Sequence, residues 1–253
     1  MEREITLLHR VCDAYRAILG NKLTGFYVHG SIAFGCFTWE TGDIDFLCVA
    51  DAPLTQAEKE ALIRTLLELT PDAPPKGLEM SVVLAEHCAR FTHPTPFELH
   101  FSNAHKARAE ADLTAYCREM NGIDPDLAAH FTVLHHVGFP LYGPPVAQVF
   151  APVPRACYVD SILADVACAE ADIHQNPVYF TLNLCRVLAF LTDGAILSKA
   201  QGGQWGLRHL PQAFHPLLQD ALAAYRSGGS LDAPAQLAAF SAMMHQLIAQ
   251  RKE

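Results

Sequence analysis

The sequence predicts an α+β fold in two parts, a small mixed sheet backed by helices and then an all-helical region. Three observations carry that prediction. Three short apolar runs, "GFYVHG", "IDFLCVA" and "LEMSVVLA", fall between residues 25 and 85. They are too short and too continuously apolar to be amphipathic helices. Segments with apolar residues at three- and four-residue spacing flank them, and from residue 158 onward every segment has that helical spacing.

Taken in order, the first helix covers residues 4–19, with Ile5, Leu8, Val11, Cys12, Tyr15, Ile18 and Leu19 at helical spacing. "GFYVHG" is a strand ending in a turn. "IDFLCVA" is a second strand, apolar almost throughout, as burial on both faces requires. "TQAEKEALIRTLLEL" is a helix whose Thr55 cap and Glu58 three residues on make a capping box. "PDAPPKG" breaks the chain, and "LEMSVVLA" is the third strand. Residues 94–101 read ambiguously, with a short strand as one reading. From Ala104 the pattern is helical, most clearly in "DPDLAAHFTVLHHVG". "FAPVPRA", with two prolines and no apolar period, reads as a linker. Five helical segments follow: "YVDSILADVACAEADIHQ", "PVYFTLNLCRVLAFLTDG", "SKAQGGQWGLRHLP", "FHPLLQDALAAYR" and "PAQLAAFSAMMHQLIAQR". The predicted domains are 1–150 and 151–253.

Bulk composition narrows the function. The 253 residues are 51% hydrophobic and 18% charged, enough for a sizeable core and against disorder. The formal net charge is −9 and no stretch reads as a basic face, which argues against a nucleic-acid partner and a template-directed polymerase. An acidic balance suits a cationic small molecule. The N-terminal stretch lacks the basic start and apolar block of a signal peptide, and no run approaches the roughly 18 apolar residues of a membrane span. A cytoplasmic location is the expectation. The eight cysteines are scattered without a C-x-x-C pair, and read as reduced, mostly buried small hydrophobes.

The chemistry concentrates in "HGSIAFGCFTWETGDIDF". Residues two apart on a strand face the same way, so Asp43 and Asp45 would present two carboxylates to one side. Such a pair is costly unless a cation offsets it, and a hard divalent ion such as Mg²⁺, which shares oxygen ligands with phosphates, is the natural occupant. Glu79 on the third strand joins them if strands two and three are neighbours. Three acids can then orient a triphosphate and take a proton from an attacking hydroxyl. Gly30 lets the backbone turn sharply and approach a phosphate. Ser31 adds an N–H and a hydroxyl where a helix begins, favourable for anionic oxygens.

On "HGS", "GDIDFL" and "LEMSVV", residues 1–90 resemble the nucleotidyltransferase superfamily that includes DNA polymerase β. The resemblance implies metal-assisted transfer of a nucleoside monophosphate with release of pyrophosphate. Farther along, "LYGPPVAQVFAPVP", "YFTLNLCRVLAFLTDGAILSKAQGGQWGLRHLP" and "HPLLQDALAAYRSG" resemble the C-terminal domain of the bacterial adenylyltransferases that modify streptomycin and spectinomycin. The likeness is collinear over most of the chain. It implies that Glu79 is the catalytic base, with Asp43, Asp45 and Glu79 at the metal. It also implies that Gly30, Ser31, Asp126, Arg186, Lys199 and Tyr225 bind nucleotide. Arg186 stands among Leu184, Cys185, Val187 and Leu188, and an Arg so placed needs a partner.

Departures fall mainly on the acceptor side. Of two family acids that hold the drug's cationic groups, Asp172 is kept and the other position reads Asn176. A nearby family His or Asn reads Tyr179, and a family tryptophan is replaced by Ala104 or His105. Gly42 replaces the usual Ser before D-x-D. Asp172, Asn176 and Tyr179 remain the expected acceptor-binding positions, in a cleft between the two domains. The expected reaction is Mg²⁺-dependent transfer of AMP from ATP to a hydroxyl of an aminoglycoside-like, cationic small molecule, an antibiotic modification. Two alternatives stand beside it: nucleotidyl transfer to another metabolite or a protein, and a nucleotide-binding regulatory module without turnover. His29 is read as shaping the turn or touching phosphate, Glu98 and His100 as alternating on a solvated strand, and "GGQWG" as a turn anchored by Trp205.

Overall fold

The apolar run Ile44–Ala50 forms a strand, β2, at the centre of a five-stranded sheet, with 0–1% exposure at every position except Asp45. The structure is a computed structural model that describes residues 2–251. It divides into two compact units, Met1–Pro154 and Arg155–Glu253.

The first unit runs α1 (Glu2–Leu19), β1 (Leu23–Val28), α2 (Gly30–Ala33), β2, α3 (Gln56–Leu69), β3 (Leu78–Leu84), α4 (Ala85–Ala89), β4 (Thr95–Phe97), β5 (Leu99–Phe101), α5 (Lys106–Ala111), α6 (Leu113–Glu119), β6 (Gly122–Asp124), α7 (Leu127–Val137), β7 (Phe139–Tyr142) and α8 (Val146–Val149). The main sheet has the order β5-β3-β2-β1-β7. β2 pairs antiparallel with β1 and parallel with β3. The parallel pair is joined through α3, as a parallel connection requires. Thr55 and Glu58 form the anticipated capping box at the start of α3, with N–H to side-chain distances of 2.6 and 3.2 Å.

Alternation along the strands builds two cores. Phe26, Phe46, Cys48, Met80 and Val82 pack with Leu8, Tyr15, Leu62 and Tyr116 on one face, where the Phe26 and Phe46 rings stack at 4.5 Å. Tyr27, Leu47, Val49 and Val83 pack with Leu127, Phe131, Leu134 and Phe150 on the other. Asp45 and Glu79 share strand parity with Leu47 and Val83, so they lie on this second face near the strand beginnings. β7 was not anticipated. Its Pro140 argues against a strand, but β7 is an edge, where a missing N–H is tolerated. The ambiguous stretch 94–101 holds both β4 and β5, and three-residue β6 pairs with β4.

The second unit contains α9 (Arg155–Asp165), α10 (Ala169–Asp172), α11 (Pro177–Asp193), α12 (Lys199–His209), α13 (His215–Ser227) and α14 (Pro234–Ala249). The segment "YVDSILADVACAEADIHQ" is not one helix. It breaks after Asp165, where Ala167 and Ala169 bond to carbonyls only three residues back. "GGQWG" is not a turn but the middle of α12. Its glycines face α11 and α13, because a Cβ on Gly202 would come within 2.6 Å of Arg186 Cγ, and one on Gly203 within 2.7 Å of Leu222. Trp205 is 5% exposed and donates from Nε1 to Asp193 at 2.6 Å. All eight cysteines are free. Among the described residues no helix is long and apolar enough to cross a membrane.

Candidate functional site

Register brings the acids together. Asp45 on β2 stands directly opposite Glu79 on β3, and neighbouring strands are about 4.8 Å apart. Asp43 is not on the strand: β2 begins at Ile44, whose N–H is taken by the Gly77 carbonyl at 3.1 Å. The loop before the strand nevertheless turns Asp43 inward. One carboxylate oxygen from each of Asp43, Asp45 and Glu79 lies within 4.8 Å of the others, and all three residues are half-buried. Gly42 is accounted for by crowding, since a Cβ there would meet the Phe37 ring at 2.7 Å and the Thr38 carbonyl at 2.8 Å.

The Gly30-Ser31 turn closes against this cluster. The His29 N–H donates to the Asp45 carbonyl at 3.2 Å. Gly30 has φ +61°, and a Cβ on it would sit 1.8 Å from Asp45 Oδ2. Only a glycine lets the backbone lie against the carboxylate in this conformation. Ser31 opens the single turn of α2. Its hydroxyl is buried with no hydrogen-bond partner, an arrangement that costs free energy unless a ligand completes it.

Behind the acids lies a histidine pair. His29 is 4% exposed, and its ring centroid is 4.7 Å from that of His130 on α7. Burial, the charge of His130 and an opposing pull from Asp126 leave His29 well below the usual imidazole value. Burial opposes charge on His130 as well. Its hydrogen bond to Asp126 (Nε2 to Oδ2, 3.2 Å) and the negative field of Asp126, Glu79 and Asp124 overcome this and raise it to about 10. Asp126 is therefore the partner of His130 at the start of α7. His100 bonds to Ser81 Oγ through Nδ1 at 3.0 Å. Burial, then the charges of His105 and His130, lower it to about 4. Glu98 is not a solvated strand residue, since its carboxylate takes the Leu54 N–H at 3.0 Å.

In the second unit Arg186 has the partners its apolar surroundings demand. Nε donates to the Leu197 carbonyl and Nη1 to Asn183 Oδ1, both at 2.8 Å. Lys199 is the first residue of α12, directly after the Ser198 cap. Its Nζ lies 5.0 Å from the centre of the Tyr179 ring, and the Tyr179 hydroxyl donates to Asp165. Asp172 ends α10 and accepts from Gln175 at 3.3 Å. Asn176 caps α11 with no side-chain bond to it. Tyr225 lies half-buried on α13. Sequence reasoning missed Asp165, which has no periodic relation to Tyr179, and the tilted packing of His29 against His130. The three histidines of α7 were visible, but not their different surroundings: His130 packs on His29, His135 bonds to the Ala151 carbonyl at 3.1 Å, and His136 lies 6.1 Å from the Phe34 ring.

Residues 148–250 match the family described as aminoglycoside adenylyltransferase, C-terminal domain. An aminoglycoside (3'') (9) adenylyltransferase of Klebsiella pneumoniae is 25% identical over 228 residues, covering 87% of this chain and 84% of that one. A spectinomycin 9-adenylyltransferase of Staphylococcus aureus is 25% identical over 217 residues, covering 83% and 80%. The crystal structure of spectinomycin adenyltransferase AAD(9) from Enterococcus faecialis, with ATP and spectinomycin, superposes with a TM-score of 0.81 at 18% identity, over 97% of this chain and 99% of that one. This last likeness establishes the fold. Over most of its length the chain is thus similar to aminoglycoside and spectinomycin adenylyltransferases, and residues 148–250 match the C-terminal domain of that family.

Proposed function

We propose that the protein transfers AMP from ATP to a hydroxyl of an aminoglycoside-like acceptor and releases pyrophosphate. The observation that carries this reading is the convergence of Asp43, Asp45 and Glu79 within 4.8 Å, beside a turn whose Ser31 hydroxyl lacks a partner. The relatives named for aminoglycoside and spectinomycin adenylylation support it. Three converging carboxylates suit Mg²⁺, which would be held by Asp43, Asp45 and Glu79 and would supply charge neutralisation at the phosphates.

In this reading the Gly30-Ser31 turn receives phosphate oxygens through its backbone N–H groups and the Ser31 hydroxyl. Arg186 and Lys199 supply cationic donors, and Asp126 and Tyr225 border the nucleotide. The acceptor hydroxyl oxygen forms a bond to the α-phosphorus while the bond to the bridging oxygen breaks and its electron pair leaves with pyrophosphate. Glu79 takes the hydroxyl proton. Asp172 attracts the cationic acceptor. The test is pyrophosphate release from ATP and Mg²⁺ across a panel of aminoglycosides and aminocyclitols. Release with one of them supports the proposal. Silence across the panel with every nucleoside triphosphate, while the analogue of ATP still binds, favours the non-catalytic reading.

A second reading keeps the chemistry and changes the acceptor to another hydroxylated metabolite or a protein. Asn176 favours it, because a neutral amide stands where a second acid would meet a cationic drug.

A further inference from the structure

Strand register fixes Asp45 and Glu79, but Asp43 lies outside the ladder, one residue before β2. Carboxylate oxygens within 4.8 Å of one another repel until a cation arrives. The acid that this repulsion can move is the one carried by a loop. The position of Asp43 therefore depends on what holds residues 34–43.

The loop is tied to itself and to the turn before it. The Cys36 N–H donates to the Ser31 carbonyl at 3.0 Å, and the Gly42 N–H donates to the Thr38 carbonyl at 2.8 Å. The Thr38 and Thr41 hydroxyls bond to each other. The Phe37 ring packs on the first core and lies close against Gly42. Gly42 directly precedes Asp43, so a shift of Phe37 reaches the acid through one rigid peptide unit.

Trp39 braces Phe37. The two rings meet edge to face at 6.2 Å and 89°, an arrangement that aromatic quadrupoles favour. Trp39 is half-buried, and the exposed Arg3 of α1 lies over its ring, with the guanidinium carbon 3.7 Å from the ring centre. This is a cation–π contact. Leu7, Leu8 and Val11 anchor α1 in the core, so Arg3 reaches out from a fixed support. A continuous series of contacts thus runs from Arg3 through Trp39, Phe37 and Gly42 to Asp43.

We propose that Trp39 is a positioning residue for the metal: pinned by Arg3, it braces the loop through Phe37 and holds Asp43 toward Asp45 and Glu79 before a cation binds. The proposal rests on reading the three acids as a divalent-cation site and deepens it, because it says how the one acid outside the sheet is kept in place. The ring of Trp39 is the active part, and Arg3 is its clamp.

The test is titration of the full chain with Mn²⁺, which takes the same oxygen ligands as Mg²⁺, with free Mn²⁺ read by electron paramagnetic resonance. It needs neither acceptor nor turnover. Wild type, W39F, W39L, R3M and the R3M/W39L double variant are compared below the unfolding transition of each. W39F keeps a ring for Arg3 and Phe37 and binds within about twofold of wild type, whereas W39L binds about fivefold to tenfold more weakly. R3M changes an exposed side chain that folding does not need, and costs about two- to threefold. In the W39L background R3M adds almost nothing, because the ring it clamped is gone. A non-hydrolysable ATP analogue in EDTA, which meets the Gly30-Ser31 turn without metal, binds W39L within about twofold of wild type.

Unchanged Mn²⁺ affinity in W39L and R3M overturns the proposal. So does W39F as weak as W39L, or an R3M loss that adds in full to that of W39L. A W39L loss equally large for Mn²⁺ and for the analogue in EDTA overturns it too, since Trp39 would then support the whole loop and not the acid. Wild type that takes up no Mn²⁺, alone or with the analogue, fails the metal reading itself, and the proposal falls with it.

Discussion

The acids of the first unit and the polar residues of the second are held by different means. Asp45 and Glu79 are fixed by strand register, opposite one another on a parallel pair buried on both faces. Asp165, Asp172 and Tyr179 come from the end of α9, the end of α10 and the first turn of α11, and what joins Asp165 to Tyr179 is a side-chain bond. Register tolerates no gradual change, since a slip of one residue turns every side chain to the opposite face. Helix ends tolerate exchange of one polar residue for another. The difference teaches that Asp45 and Glu79 are constrained by the whole sheet, whereas Asp172, Asn176 and Tyr179 are constrained only by their own helix ends.

The largest expected effect is at the register-fixed site. Glu79→Gln keeps the shape and removes the proton acceptor, so turnover falls by at least about 10³-fold. Affinity for the ATP analogue changes little. Near wild-type turnover in this variant would remove Glu79 from the role of base. Next is Gly30→Ala, whose Cβ would collide with the Asp45 carboxylate in a left-handed backbone. It should lose about 1–3 kcal/mol of stability and on the order of 10²-fold in activity as the turn shifts, read from chemical denaturation and pyrophosphate assays. A variant as stable and active as wild type would mean that the turn does not depend on this close approach.

The helix-borne side should respond more mildly. Asp172→Asn removes one half-exposed charge, so the acceptor KM should rise about threefold to fivefold with ATP affinity unaltered. An equal loss in ATP affinity would show that Asp172 serves the nucleotide. The smallest effect concerns pH. His130 is raised to about 10 in the folded protein, above its ordinary value of about 6.5. The folded state therefore holds the proton more tightly, and this stabilisation is full below pH 6.5 and fades as pH rises toward 10. In metal-free buffer, Asp126→Asn should flatten that decline in unfolding midpoint between pH 6.5 and 10. An unchanged slope would show that the ion pair does not govern it.

Much of the first unit was legible because its signals are local. Thr55 and Glu58 mark a helix start with their own side chains, and Ile44–Ala50 is too apolar to be anything but a two-sided strand. Asp43 was misplaced by one position, since the strand ends where the Gly77 carbonyl takes the Ile44 N–H, a contact between residues distant in sequence. β7 was hidden by Pro140, whose tolerance depends on being at an edge. "GGQWG" was misread because glycine ordinarily interrupts a helix. Only the neighbouring Arg186, Leu182 and Leu222, with Cys185 against Gly206, show why three glycines stand there. Arg186 declared its need for a partner but not the partner, because Leu197 O lies beyond the end of its own helix. Asp165 gave no signal at all, being one acid among many until Tyr179 reached it.

The glycines of α12 set something beyond the packing of two helices. Each lacks the one carbon that would separate α12 from its neighbours, so the spacing of the seam is defined by absent atoms. Lys199 begins that helix and Tyr179 belongs to its neighbour. The distance between charge and ring thereby depends on Gly202 and Gly203, three and four residues along α12 from Lys199. A methyl group added to the seam would act on the lysine as a lever acts on its far end, and the electrostatics of the ring would register a change of volume.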